Sequence, residues 1–270
     1  MKKQMPLTTN QIDEFNERGF LLLENLLPEQ AIDHLSKTVE RLETKEYPGH
    51  VLETHGKGFR ALHGCHLYDD TFNELIRSPE LLETAKTLLN DDVYVHQLKV
   101  NLKKPFNGEL WPWHQDYIYW RNKDGIPKDS IISVMFFIDD INEFNGPLFL
   151  IPKSHAVGCV DSSNRNAANG GWDQDVSAEL TYQVENDLVD ELIKQEGIFS
   201  AKGKKGTVLW FHGNIIHASP PNISPYQRRV GIITYNPVSN TSTISGALPR
   251  PEFICGTDTR PLQSNELLST

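Results

Sequence analysis

The sequence predicts a mainly β protein, a β-sandwich or jelly roll with helices in front of it. Three observations carry that expectation. Helical periodicity is concentrated in residues 8–90, a clean alternation of apolar and polar residues begins at Val93, and short apolar runs then follow one another between Asn, Gly and Pro. A chain of 270 residues is long enough to bury a sizeable core, and one β-rich domain over 1–270 lies within the usual range.

The elements follow in order. Thr8 or Thr9 can cap a short helix that runs through Arg18, with Ile12 and Phe15 on one side and Gly19 as its stop. Phe20 to Leu26 reads as a strand. From Pro28 to Lys45 the residues Ala31, Ile32, Leu35, Val39 and Leu42 recur at helical spacing behind an N-terminal proline. Another helical stretch, Thr71 to Leu89, breaks near Pro79. Val93 to Lys103 then places Leu98, Val100 and Leu102 on one face of a strand and Gln97, Lys99 and Asn101 on the other, a polar inner face suited to a ligand cavity. Further strands are expected at Ile131 to Ile138, Pro147 to Ile151, Gly206 to Phe211 and Arg229 to Tyr235. They make up a β core over about 91–237. It is interrupted at about 161–195 by an insert or lid, rich in Ser, Asn and Gly at its start and helical near Asn186 to Gln195. The tail after Val238 has no period and reads as a loop, a late lid or a partly disordered segment.

Composition narrows the partners. Asp and Glu number 36 against 26 Lys and Arg, a net charge of −10, which argues against nucleic acid or an anionic membrane and for a small-molecule substrate. No apolar run approaches a membrane span, and the two lysines near the N-terminus precede no signal-like segment. Cys65, Cys159 and Cys255 are scattered and odd in number, as expected of reduced thiols in a cytoplasmic protein. The oligomeric state is not legible in the sequence.

The chemistry lies in two segments. In WPWHQDYIYW an extended strand puts His114 and Asp116 on one face, one imidazole and one carboxylate for a single ion. Alone this is weak, because 10 His and 36 acidic residues in 270 positions predict about 1.3 such pairs by chance. About a hundred residues downstream a strand brings His217 and, after ten intervening residues, Arg228. Two His and one carboxylate cap one face of octahedral iron(II) and leave three open positions: two for a chelating keto acid such as 2-oxoglutarate and one for dioxygen. Arg228 supplies the fixed, charged fork that the keto acid's distal carboxylate needs.

The motifs HQD at 114–116, NGP at 145–147, IPKSH at 151–155 and H-x10-R from His217 to Arg228 resemble the phytanoyl-CoA dioxygenase superfamily, over roughly Phe20 to Pro237. Within it, VYVHQLKVNLK, WPWHQDYIYWRNKDGIP and EFNGP look like bacterial free amino-acid hydroxylases, above all those acting on leucine, with ectoine hydroxylase further off. This resemblance implies a double-stranded β-helix (jelly roll, cupin-like) with flanking N-terminal helices. It also implies an enzyme that uses Fe(II), 2-oxoglutarate and O2 to hydroxylate an unactivated C–H bond while 2-oxoglutarate becomes succinate. An intact Asp116 favours hydroxylation over the halogenation carried out by relatives that lack this carboxylate. Hydroxylation of an ectoine-like solute, a carrier-linked acyl group or a natural-product intermediate is the alternative, and a non-catalytic sensor of metal or keto acid a third.

Other residues leave alternatives open. His212 competes with His217 as the second imidazole, and the spacing to Arg228 favours His217. Gln97 and Asn101 either hydrogen-bond the co-substrate or substrate from the barrel wall or satisfy neighbouring backbone. Tyr117, Tyr119 and Trp120 either wall a substrate pocket, with Trp120 preferred, or fill the core. Arg121 either pairs with a substrate carboxylate or is solvated. Arg229 is expected on the outer face of its strand as a surface charge, the lysines at 202, 204 and 205 as solvated, and Asn145-Gly146-Pro147 as a turn.

Overall fold

A computed structural model describes residues 7–53, 58–160, 172, 180–246, 248 and 250–265. Helix α1 (Thr9–Arg18) starts from a capping box in which Thr8 and Gln11 satisfy each other's backbone N–H groups, and stops at Gly19, whose φ of 79° is left-handed. Strand β1 (Phe20–Leu23) and helix α2 (Glu29–Leu42) follow, then β2 (His50–Leu52), β3 (Phe59–His63) and two helices, α3 (Asp70–Leu75) and α4 (Pro79–Leu89), with Pro79 opening the second one. The remaining elements are β4 (Val93–Lys103), β5 (Trp111–His114), α5 (Tyr117–Asp124), β6 (Ile132–Phe137), β7 (Leu148–Leu150), α6 (Asn186–Glu196), β8 (Phe199–Ala201), β9 (Val208–His212), β10 (His217–Ser219) and β11 (Arg228–Pro237).

The strands form two antiparallel sheets, one ordered β1-β9-β6-β11-β4-β3-β2 and the other β5-β10-β7-β8. This is the jelly-roll arrangement of the double-stranded β-helix. Side-chain alternation assigns the faces of the large sheet. Val134 and Phe136 of β6, with Leu98, Val100 and Leu102 of β4, join Ile32, Leu35, Val39, Leu81 and Leu82 from the helices in one core. Met135 and Phe137 of β6 instead join Leu150, Phe211, Val230 and Ile232 on the side facing the small sheet. Both faces of β6 and β11 are therefore buried, which explains why those segments read as continuous apolar runs rather than alternating ones.

Several expectations change in detail. The first strand ends at Leu23, and the chain turns at Asn25, which adopts φ 54°. The extended run expected through Asp116 ends at His114; Asp116 already has helical angles, φ −75° and ψ −37°, so Tyr117, Tyr119 and Trp120 lie on a helix rather than a strand. Arg229 does face outward from the cavity, but it is buried. It donates to Asp139 through Nε (2.9 Å) and Nη2 (2.7 Å) and to Glu40 through Nη1 (3.2 Å), tying α2 to β11. The lysines at 202, 204 and 205 pair with Glu143, Asp140, Glu29 and Asp33 on the surface. Much of the tail lies along β4: Gly256 donates to His96 O (2.7 Å) and Leu262 to Val93 O (2.9 Å). Most of the Ser/Asn/Gly-rich part of the expected insert lies outside the described residues; its Trp172 packs edge-on to Phe253 at 4.9 Å. No described helix is long and apolar enough to cross a membrane.

At the centre of β11, Gly231 stands directly opposite Phe136, and a Cβ at 231 would lie 1.9 Å from the Phe136 ring. Phe136 is fully buried, in an interior packed about as densely as an organic crystal. Gly231→Ala should therefore destabilise the protein by about 1–3 kcal/mol through overpacking, readable as a lowered Tm; an unchanged Tm would show that the ring relocates freely.

Candidate metal and co-substrate site

The two short strands β5 and β10 pair so that His114 and His217 are direct cross-strand neighbours, with ring centroids 4.2 Å apart. Each ring is fixed by its own backbone: Nδ1 of His114 donates to Pro112 O (2.7 Å) and Nδ1 of His217 to Ile215 O (3.0 Å). That leaves Nε2 as the lone-pair nitrogen in both. Nε2 of His114 is 3.8 Å from Oδ1 of Asp116 and Nε2 of His217 is 3.9 Å from Oδ2. One ligand atom from each of the three residues falls within 4.8 Å of the others.

Asp116 reaches this position because the chain turns from β5 into α5 immediately after His114. Gln115 pins that turn, its Nε2 donating to Asn214 O (2.6 Å) and Gly158 O (2.8 Å) while its Oε1 accepts from Val160 N (2.8 Å). The middle residue of the HQD motif is thus a structural clamp.

Electrostatics match a cation site. Burial, followed by the neighbouring His217, pushes His114 down to about 3, and burial also lowers His217, so both imidazoles are neutral near pH 7, as ligands must be. Burial alone would raise the carboxyl of Asp116, but the positive charges of Lys99 and, further off, Arg250 help to hold it below its usual value. Two neutral imidazoles with oriented Nε2 atoms and one carboxylate are a donor set that fits iron(II). His212 is not among them: its Nδ1 accepts from Asn214 N (3.0 Å), and its ring lies 5.4 Å from that of His155.

The triad opens into a cavity between the sheets, lined by Gln97, Asn101, Tyr119 and Trp120, and also by Lys99, Lys103, Arg228 and Arg250. Arg228 is 5 % exposed. Its Nε donates to Gly146 O (3.0 Å) and its Nη2 to Ser219 Oγ (3.1 Å), so the Asn145-Gly146-Pro147 turn presents the carbonyl that orients the guanidinium. Gly146 has φ 82°, and a Cβ there would lie 2.8 Å from Lys103 Cδ. Burial lowers Arg228 to about 10, which still leaves it charged at neutral pH.

Lys103 is the cross-strand partner of Arg228, and its Nζ donates to the same Ser219 Oγ (2.8 Å) and to Pro220 O. Burial, then repulsion from Arg228, pushes it down to about 6. Sequence reasoning missed this residue, although it extends the 97, 99, 101 alternation by one step. It also missed Arg250, which lies in a tail without any period. Gln97 Nε2 donates to Ile254 O (2.8 Å), so one end of its amide serves the backbone while the side chain still lines the cavity.

Two residues expected at the substrate are elsewhere. Tyr117 points its OH to Ile126 O (3.1 Å) and packs with Trp120 and Ile131 behind the cavity. Arg121 holds Asn122 Oδ1 through Nε (3.0 Å) and does not line the cavity. The helix explains both: only some of its faces turn inward, and strand alternation is the wrong period for residues 117–121. Tyr119 takes a wall position, and its OH accepts from Tyr182 N (3.1 Å).

Comparisons with known proteins agree with this geometry. The family profile of Phytanoyl-CoA dioxygenase (PhyH) matches residues 15–230. An L-proline trans-4-hydroxylase from Streptomyces griseoviridis is 37% identical over 251 residues, covering 92% of each chain. An ectoine dioxygenase from Bordetella bronchiseptica is 32% identical over 275 residues, covering 97% of this chain and 88% of its own. Among solved structures, EctD from S. alaskensis, crystallised with bound Fe and also with 2-oxoglutarate and 5-hydroxyectoine, superposes with a TM-score of 0.82 at 26% identity, over 98% of this chain and 89% of that one. A His-Asp-His triad beside a buried arginine, on a jelly roll with these relatives, places the chain in the phytanoyl-CoA dioxygenase (PhyH) family of iron(II)- and 2-oxoglutarate-dependent dioxygenases.

Proposed function

We propose that this enzyme hydroxylates an unactivated C–H bond of a free aliphatic α-amino acid, with leucine and proline as the first substrates to test. The observation that carries the reading is the presence of two separate arginines, Arg228 and Arg250, in the lining of one cavity, each able to offer N–H donors to a carboxylate. Lys103, beside Arg228, ends β4, whereas Gln97 and His96 near its beginning neighbour the tail segment that brings Arg250. Six residues of extended strand separate Gln97 from Lys103, about 20 Å. Lys99 lies between them, close enough to the triad to bias it.

In this reading His114, Asp116 and His217 hold iron(II), which with dioxygen and the keto acid supplies the oxidising power for C–H hydroxylation. The balance is substrate plus O2 plus 2-oxoglutarate giving hydroxylated substrate, CO2 and succinate. Arg228 and Lys103 take the distal carboxylate of 2-oxoglutarate, with Asn101 on the same wall. Arg250 takes the substrate carboxylate, the Gln97 amide offers polar contacts beside it, and Trp120 and Tyr119 provide the apolar wall that an aliphatic side chain needs and from which water is excluded. A buried arginine suits a small free carboxylate better than an esterified acyl chain. The likeness to an L-proline hydroxylase supports the amino-acid reading. Likeness to ectoine dioxygenases supports a second one, an ectoine-like solute held in the same way. Three free cysteines among the described residues, two of them buried, suit a cytoplasmic enzyme.

Aerobic incubation with iron(II), 2-oxoglutarate and a panel of free amino acids plus ectoine should yield one aliphatic amino acid heavier by one oxygen, with matching succinate, by mass spectrometry. Oxidation of ectoine alone would replace the first reading with the second, and no oxidised product with full iron loading would refute both. The co-substrate site makes a pH prediction. Lys103, at about 6, is mostly neutral at pH 8 before binding. A bound carboxylate raises it, so binding takes up a proton, and affinity for 2-oxoglutarate should fall by up to about tenfold per pH unit above pH 6. Anaerobic calorimetry should show this slope in wild type and its loss in Lys103→Met; equal slopes would remove Lys103 from the site.

A further inference from the structure

Helix α5 begins beside one functional carboxylate and ends at another. Asp116 precedes its first residue, and Asp124 is its last. Asp124 is fully buried, and its two oxygens accept from Arg250 side-on: Oδ1 from Nε at 2.7 Å and Oδ2 from Nη2. Oδ2 also bonds Nε2 of His96 at 3.0 Å. His96, Asp124 and Cys255 bring ligand atoms within 4.8 Å of one another, but the bidentate Arg250 occupies the carboxylate, so the cluster is an ion-pair hub and not a second metal site.

Both ends of α5 are held. At the start Tyr117 N donates to Gly213 O (3.0 Å), next to the Gln115 clamp. At the end Gly125 caps the helix with φ 69°, Ser242 Oγ donates to Asp124 O (2.5 Å), and Thr243 N donates to Gly125 O (3.0 Å). In the middle Trp120, a cavity wall residue, meets the His96 ring edge-on at 5.8 Å. The residues from 116 to 124 advance about 12 Å along a helix, and no flexible joint lies between the metal carboxylate and the group that carries Arg250.

We propose that α5 is a ruler. Asp124, with His96 behind it, is a positioning residue that fixes how far the substrate-anchoring guanidinium of Arg250 stands from the triad, and thereby selects which carbon is hydroxylated. This rests on the reading that Arg250 receives the substrate carboxylate. It adds that the regiochemistry is set from behind the anchor, by a residue that never touches substrate. Lengthening the Asp124 arm by one methylene moves the anchor relative to the triad; removing its charge loosens the anchor.

The test compares Asp124→Glu, Asp124→Asn, His96→Gln and Arg250→Lys with wild type, each checked for an intact fold by circular dichroism, on whichever of leucine or proline is turned over. The readouts are the amino-acid Kd by anaerobic calorimetry, KM for amino acid and for 2-oxoglutarate, the position of the new hydroxyl, and succinate formed per hydroxylated product. Asp124→Glu should raise the amino-acid Kd about tenfold, leave KM for 2-oxoglutarate within about twofold, and shift hydroxylation toward a neighbouring carbon with excess succinate. His96→Gln keeps the ion pair and should move the same quantities less; it carries the test if the Asp124 variants do not fold. A weakened Arg250→Lys together with folded Asp124 and His96 variants of unchanged Kd, regiochemistry and coupling would overturn the ruler and leave the anchor standing. An unchanged amino-acid Kd in Arg250→Lys would overturn the anchor itself, and the ruler with it.

Discussion

The site depends on the pairing of His217 with His114 across β10 and β5. These are short strands, of three and four residues, and the register between them decides whether two imidazoles meet or point to opposite faces. Their Nδ1 bonds to Pro112 and Ile215 are local, two residues back in the chain, so each strand carries its ring already oriented. Once the two Nε2 atoms converge, the third ligand must come from nearby. The turn that Gln115 locks brings Asp116 there, through three hydrogen bonds made by an uncharged side chain.

A cavity that holds charged ligands inside a β-sandwich works against the hydrophobic core around it, because an unpaired buried charge is costly. The protein resolves this by dividing the large sheet. Its outer face takes the helices and most of the large apolar residues, whereas the inner face carries Lys99 and also Gln97, Lys103 and Arg228, the last three oriented by backbone carbonyls or hydroxyls. Arg228 and Lys103 share one hydroxyl, and burial together with the charge of Arg228 disfavours the charged form of Lys103, which an arriving carboxylate would restore. The Arg250–Asp124 pair is neutralised in advance and therefore sits deep in the wall without an anion from outside.

The sequence disclosed those parts of the molecule in which periodicity is regular. Alternation in Val93–Lys103 named both the helix-packing face and the cavity face of β4, and Thr8, Gly19 and Pro79 marked helix ends by chemistry specific to caps. The metal residues were legible because spacing and residue type combined. The route by which Asp116 arrives was not: an i, i+2 pair fits a strand, and only the tertiary bonds of Gln115 convert the second step into a helix start. The same change of period decides which of the alternatives left open for Tyr117 the structure takes, since on a helix its side chain turns into the core. Arg229 was placed on the correct face yet thought solvated, because partners such as Glu40, on a distant helix, leave no mark beside it in sequence. Arg250 was invisible for the same reason: its meaning comes from Asp124, 126 residues earlier.

The positions of metal, keto acid and amino acid in this cavity can be seen directly in an anaerobic crystal structure with iron(II), 2-oxoglutarate and the amino acid. Such a structure should show one metal bonded to Nε2 of His114, Nε2 of His217 and the Asp116 carboxylate, the distal carboxylate of 2-oxoglutarate on Arg228 and Lys103, and the substrate carboxylate on Arg250. Metal bound at His96, Asp124 and Cys255, or 2-oxoglutarate seated on Arg250 with Arg228 unengaged, would contradict these assignments.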